Sequence, residues 1–157
     1  MKPHSFNLLI IGLLVGQTTL LYSQSWTAAE RFSSPSNSLL TSTSTALGSD
    51  GSMYVVGNFQ NMVCFDTIIL NASVPNRTRG YLLKLDAQMQ PVWAKQFPEF
   101  PYDLTLDAQD NVFIAGSRWN AAGSDDTLTY VAKHNSDGTL LASFYSTGTS
   151  KNWAKVV

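Results

Sequence analysis

The chain repeats itself. DGSMYVVGNF at 50–59 aligns without a gap with QDNVFIAGSR at 109–118, placing Gly57 over Gly116, Tyr54 over Phe113 and Val55 over Ile114. The match extends upstream, where ALGSDGS (46–52) pairs with TLDAQDN (105–111). Downstream, GYLLKLDAQMQPVW (80–93) pairs with TYVAKHNSDGTLLA (129–142). The offset falls from 59 to 49 residues between the two halves, so the first unit carries ten extra residues, which fall within 59–79. Self-similarity at this spacing restricts a chain to repeat architectures, in which each unit buries its apolar face against a neighbour.

Each unit reads as four short strands. In the second they are DLTLD (103–107), NVFIAGS (111–117), TYVAKHN (129–135) and LLASFYS (140–146), rich in β-branched and aromatic side chains. Asn, Asp and Gly separate them, notably SDG at 136–138 and at 49–51. Apolar positions recur at period two, with Val112 and Ile114 on one face and Phe113 on the other, and no window after residue 25 shows a helical stripe. The pattern predicts an all-β fold of four-stranded antiparallel meanders, the form of a β-propeller blade. Blade one spans 46–98 and blade two 99–147, with the Ser/Thr-rich tract 33–45 as a surface loop ahead of them.

Two flanking fragments extend the scheme. SWTAAERF (25–32) matches VWAKQF (92–97), so 26–32 reads as an outer strand able to close a ring. NWAKVV (152–157) falls where PYDLTL (101–106) falls one unit earlier, so 148–157 reads as the start of a truncated third blade. Propellers need four or more blades, so the expectation is a longer protein, with self-association of this chain as the rival arrangement.

Ahead of the repeats, a lone Lys2 precedes the apolar run LLIIGLLVGQTTLL (8–21) and the polar exit YSQS. Such a run is short for a membrane span of ~20 residues, and the layout predicts a signal peptide over 1–25 with cleavage within 22–25. The expected location is secreted, periplasmic or at the cell surface, with no integral membrane segment after cleavage. The lone Cys64 can form no internal disulfide and reads as a small core-facing hydrophobe. Ten basic residues against 11 acidic ones leave no basic face, which argues against nucleic acid as a partner.

SDGSMYVVGNF, VCFDTIIL and GYLLKLDAQMQPVWAKQF, followed by YDLTLDAQDNVFIAG, resemble the bacterial seven-bladed β-propeller unit known as the SBBP repeat. The first unit matches its pattern at Asp50, Gly51, Tyr54, Val55, Gly57, Phe59, Phe65, Asp66, Lys84, Leu85, Asp86, Trp93 and Phe97. The second keeps Asp107, Asn111, Phe113, Gly116, Lys133, Asp137 and Gly138, but lacks the middle segment and has Ala142 at the tryptophan position. The resemblance covers about 33–157 and implies the propeller fold, further blades, and a secreted or surface protein without an assigned reaction.

No constellation in the sequence carries catalysis. Ser–His–Asp or Cys–His chemistry needs an imidazole beside the nucleophile. His4 lies in the leader, and His134 reads as a solvated strand-end residue. One Cys and one useful His cannot build a zinc cage. Asp103, Asp107 and Asp110 cluster, but Asp107 and Asp110 flank a turn and read as turn formers; DAQDN lacks the EF-hand spacing, so calcium is disfavoured. Gly57 and Gly116 fit a bulge or a close neighbouring backbone rather than a phosphate loop. No cofactor is expected. The reading is therefore an exported, non-enzymatic binding or scaffold module for an unknown protein or carbohydrate. Its alternative is part of a polysaccharide-acting or quinone-dependent propeller enzyme with its site in further blades. The loops 59–79 and 117–128 supply the expected binding surface, with Arg77, Arg79, Arg118, Trp119 and Asn120.

Overall fold

The computed structural model describes residues 38–72, 77–119 and 127–146; the leader, the fragments 26–32 and 148–157, and Asn120 lie outside them. Every regular element among the described residues is a strand. β1 (Leu40–Leu47), β2 (Met53–Gln60), β5 (Thr78–Leu85) and β6 (Pro91–Phe97) form one four-stranded sheet in that order. β7 (Phe100–Leu106), β8 (Val112–Trp119), β9 (Thr127–His134) and β10 (Leu140–Tyr145) form the second. β3 (Met62–Phe65) and β4 (Ile68–Asn71) make a hairpin between β2 and β5, inside the stretch that holds the ten extra residues. All strand pairs are antiparallel.

The two sheets repeat in their irregularities as well as in their strands. β1 bulges at Thr43, between Ser42 and Ser44, and β7 bulges at Tyr102, between Pro101 and Asp103. β6 skips Val92 and β10 skips Leu141, again at equivalent positions. The left-handed residues of two turns also recur: Gly51 (φ 81°) corresponds to Asp110 (φ 57°), and Met89 (φ 65°) to Gly138 (φ 77°). A bulge bends and twists a strand at a defined place. The backbone path is thus conserved between units even where the residue favouring it is not.

Turn chemistry explains part of the acidic cluster. Oδ1 of Asp107 accepts from the amides of Gln109 (3.0 Å) and Asn111 (2.9 Å), as Oδ1 of Asp86 does from Gln88 and Gln90, and Oδ1 of Asn135 from Asp137 and Thr139. The Asn111 side chain also donates to Asp107, and this, with the backbone amides and Lys133, holds the carboxyl well below the usual range. Asp103 and Asp110 do something else. Asp103 accepts the Ser44 hydroxyl (2.8 Å) and Asp110 accepts both the amide and the hydroxyl of Ser49, so each ties the second unit to the first.

Residues 40–45 belong to β1, where the composition suggested a loop. Short side chains suit this strand because it is flanked by the second sheet: Thr43 Oγ1 donates to the Pro101 carbonyl (3.1 Å), and Ser44 Oγ donates to the Asp103 carboxylate (2.8 Å). The Ser/Thr content reports this polar seam between sheets, and threonine's branched Cβ tolerates extended backbone.

Two apolar clusters hold the structure. Tyr54, Val56 and Leu82 of the first sheet meet Leu104, Val112, Ile114, Tyr130 and Ala132 of the second, so one core lies between the sheets. On the opposite face of the first sheet, Val55, Phe59, Tyr81, Leu83 and Leu85 are covered by the hairpin through Val63, Phe65 and Leu70. Cys64 is half-buried, alternating with Val63 and Phe65 along β3, and so lies on the hairpin face opposite the one that enters the core.

Candidate functional site

The five residues expected on binding loops are divided by the fold. Arg77 is exposed ahead of β5. Arg79 lies within β5, paired with Phe59, and its buried Nε has no hydrogen-bond partner among the described residues. Arg118 is a β8 strand residue paired with Leu128, and Trp119 ends that strand. Both arginines were assigned to loops because polar residues at strand ends resemble turn composition; ladder pairing continues past them. Arg118 reaches a groove of about 450 Å³ between the two sheets.

Glu99 anchors this groove. It sits in the two-residue link from β6 to β7, only 3% exposed. Its Oε1 accepts the Tyr145 hydroxyl (2.8 Å), and Arg118 Nη1 stands 3.6 Å from the same oxygen. The Arg118 guanidinium also lies 5.3 Å from the centre of the Tyr145 ring, a cation–π geometry. Tyr130 packs on Tyr145 with ring centres 5.4 Å apart, and Phe97 adds a further ring 6.5 Å from Tyr130. Burial pushes the Tyr130 phenol above its ordinary range, with the Glu99 charge acting in the same direction; burial and then the hydrogen bond to Glu99 raise Tyr145. Both phenols therefore stay protonated across the physiological range and remain hydrogen-bond donors.

His134 lines the same groove and is buried, 6% exposed, where a solvated position was expected. It occupies the face of β9 that alternates with Lys133, the face carrying Tyr130 and Ala132 into the core. Its Nδ1 has no hydrogen-bond partner among the described residues. Burial lowers the imidazole pKa from its ordinary 6.5. The folded state then binds the proton less readily than the unfolded one, so stability is complete above pH 6.5 and falls as the pH drops through the folded value. His134→Leu should remove that acid-side slope in urea unfolding followed between pH 5 and 8. At neutral pH it should add about 1 kcal/mol by removing an unsatisfied buried nitrogen.

Comparing the two units residue by residue shows what is unusual here. Glu99 stands where the first unit has Leu40, Arg118 where it has Phe59, and His134 where it has Leu85, while Tyr130 matches Tyr81. In the first unit this locus is apolar and filled: Phe65 of the hairpin packs on Tyr81 with ring centres 5.2 Å apart. In the second, the link between the corresponding strands shrinks from residues 61–77 to residues 120–126, and the positions become polar. Glu99, Tyr130 and Tyr145 were missed as site residues. The available signal was a polarity change at inward-facing columns of the internal alignment, which the Leu85–His134 pairing already displayed.

Chemically the groove offers aromatic ring surfaces, an acceptor-only carboxylate, a donor-only guanidinium and a neutral imidazole. Among the described residues no three His, Cys, Asp or Glu side chains come together as a metal cage. No protein-family model matches the chain, and no curated protein matches it.

Proposed function

We propose that this protein is an exported, non-enzymatic β-propeller repeat module that binds a ligand in the groove between its two units. Each four-stranded sheet serves as a blade. The free face of the second sheet supports that reading, because it copies the face by which the first sheet packs against it. Phe113, Val131 and Lys133 stand for Tyr54, Leu82 and Lys84. Lys84 lies over Tyr54 at 5.1 Å and Lys133 over Phe113 at 4.8 Å, so even the cation–π contact recurs.

The observation that carries the binding role is the polar set Glu99, Arg118 and His134 at positions apolar in the sister unit. Buried polar groups with incomplete pairing cost stability, and sequences keep such costs at working sites. The double variant Glu99→Leu/His134→Leu restores two of these three residues to those of the first unit. We expect it to fold and to be more stable by about 1–2 kcal/mol in urea denaturation, because it removes a buried carboxylate and an unpaired imidazole nitrogen while Arg118, 42% exposed, can turn its charge to water. A loss of stability would show that these residues serve folding and would sink the binding role.

A further inference from the structure

We infer that the groove takes a neutral pyranose saccharide, an inference that rests on the binding-module reading above. The argument begins with charge. Glu99 and Arg118 place opposite charges 3.6 Å apart in one wall, with the carboxylate almost fully buried. An anionic ligand would meet the Glu99 carboxylate, and a cationic one would meet Arg118 and Lys95 at the rim. A purely apolar ligand would cover the part-exposed Arg118 and offer no hydrogen bond to it, to Glu99 or to His134. A neutral ligand rich in groups that both donate and accept satisfies all three.

Hydroxyl groups are such groups. Two vicinal hydroxyls can donate to the carboxylate and accept from the guanidinium side by side, and a third can lie against the His134 ring, which lines the groove and whose Nδ1 has no hydrogen-bond partner among the described residues. The remaining lining supplies the other half of the match. Phe97 and Tyr145, both half-buried, present ring surface, and a pyranose carries a face of C–H groups that packs on aromatic rings while its rim keeps the hydroxyls. The cavity, about 450 Å³, falls within the range of roughly 300–1,000 Å³ usual for small-ligand sites. In the first unit the ring equivalent to Tyr130 is covered by Phe65 of the chain's own hairpin; in the second, Tyr130 is covered by Tyr145, which itself lines the groove.

The test uses the protein recovered after expression of the full 157-residue chain. It is titrated with cellotriose, maltotriose, chitotriose and a galactose trisaccharide, with trigalacturonate and spermidine as charged comparators. Binding is read by amide NMR shifts and calorimetry. At least one neutral trisaccharide should shift the amides of Arg118, Tyr130 and Tyr145 and bind at least about tenfold tighter than either charged probe. Arg118→Ala and Glu99→Leu/His134→Leu should each weaken it about tenfold or more, the effect of losing a hydrogen bond to a charged group, with the folded spectrum retained. Absence of binding by all four, tighter binding of a charged probe, or undiminished binding in both variants would overturn the saccharide. A stabilised double variant without saccharide binding leaves the binding module standing; a destabilised one removes both.

Discussion

Gly116→Ala should cost at least about 3 kcal/mol in urea denaturation, enough to leave a marginal domain largely unfolded. A Cβ at Gly116 would overlap the carbonyl oxygen of Phe100, two residues before the β7 bulge, and come within 3.0 Å of the Pro101 Cα. Backbone rather than a flexible side-chain tip receives the clash, so relief requires moving β7. That strand is held on both sides: it is hydrogen-bonded to β8, and its Pro101 carbonyl and Asp103 carboxylate accept bonds from Thr43 and Ser44 of the first sheet. Gly57→Ala makes the equivalent clash with the Thr41 carbonyl. Both are edge strands joined by the same Thr43 and Ser44 bonds, but β1 is much the more exposed of the two and yields more readily, so the Gly57 variant should lose less than the Gly116 variant. Equal losses, or a Gly116 loss below about 1 kcal/mol, would show that the bulge does not fix the β7–β8 register.

Phe65→Ala should destabilise the protein by about 3–5 kcal/mol, the range for removing a fully buried phenylalanine. Phe65 is completely buried and is the hairpin side chain that packs on the Tyr81 ring. Its loss leaves a cavity over Tyr81, Leu83 and Leu85, because Val63 and Leu70 still hold the hairpin on the sheet and limit its collapse. Ile69, on the adjacent strand but 61% exposed, supplies the comparison: Ile69→Ala should change stability by no more than about 0.5 kcal/mol. Similar effects from the two variants in chemical denaturation would mean that the hairpin is an appendage and not the cover of the first sheet.

Much of this architecture can be read locally. Period-two alternation, the turn residues and the constant offsets place seven of the ten strands among the described residues and locate the stretch that holds the extra hairpin. The readings that needed revision share one cause. β1 was read as a loop because Ser and Thr are ambiguous between exposed loop and polar seam, and only the neighbouring β7 makes the seam. Arg118 was placed in a loop because nothing in its own neighbourhood shows that Leu128 pairs with it. A strand-end histidine in the sequence suggests a solvated position for His134; the second sheet's inward face buries it.

The sequence by itself determined the repeating unit, its strands and its turns, because these depend on alternation, branching and backbone hydrogen bonding within a few residues of one another. The tertiary structure decided which faces meet and what the remaining gap contains. Glu99 comes from a link, Arg118 from β8, His134 from β9 and Tyr145 from β10. They share one groove only because the second sheet turns that face toward the first, without the aromatic hairpin that covers the same face one unit earlier. Burial and charge pairing are properties of that stacking, and no single stretch of the chain contains them.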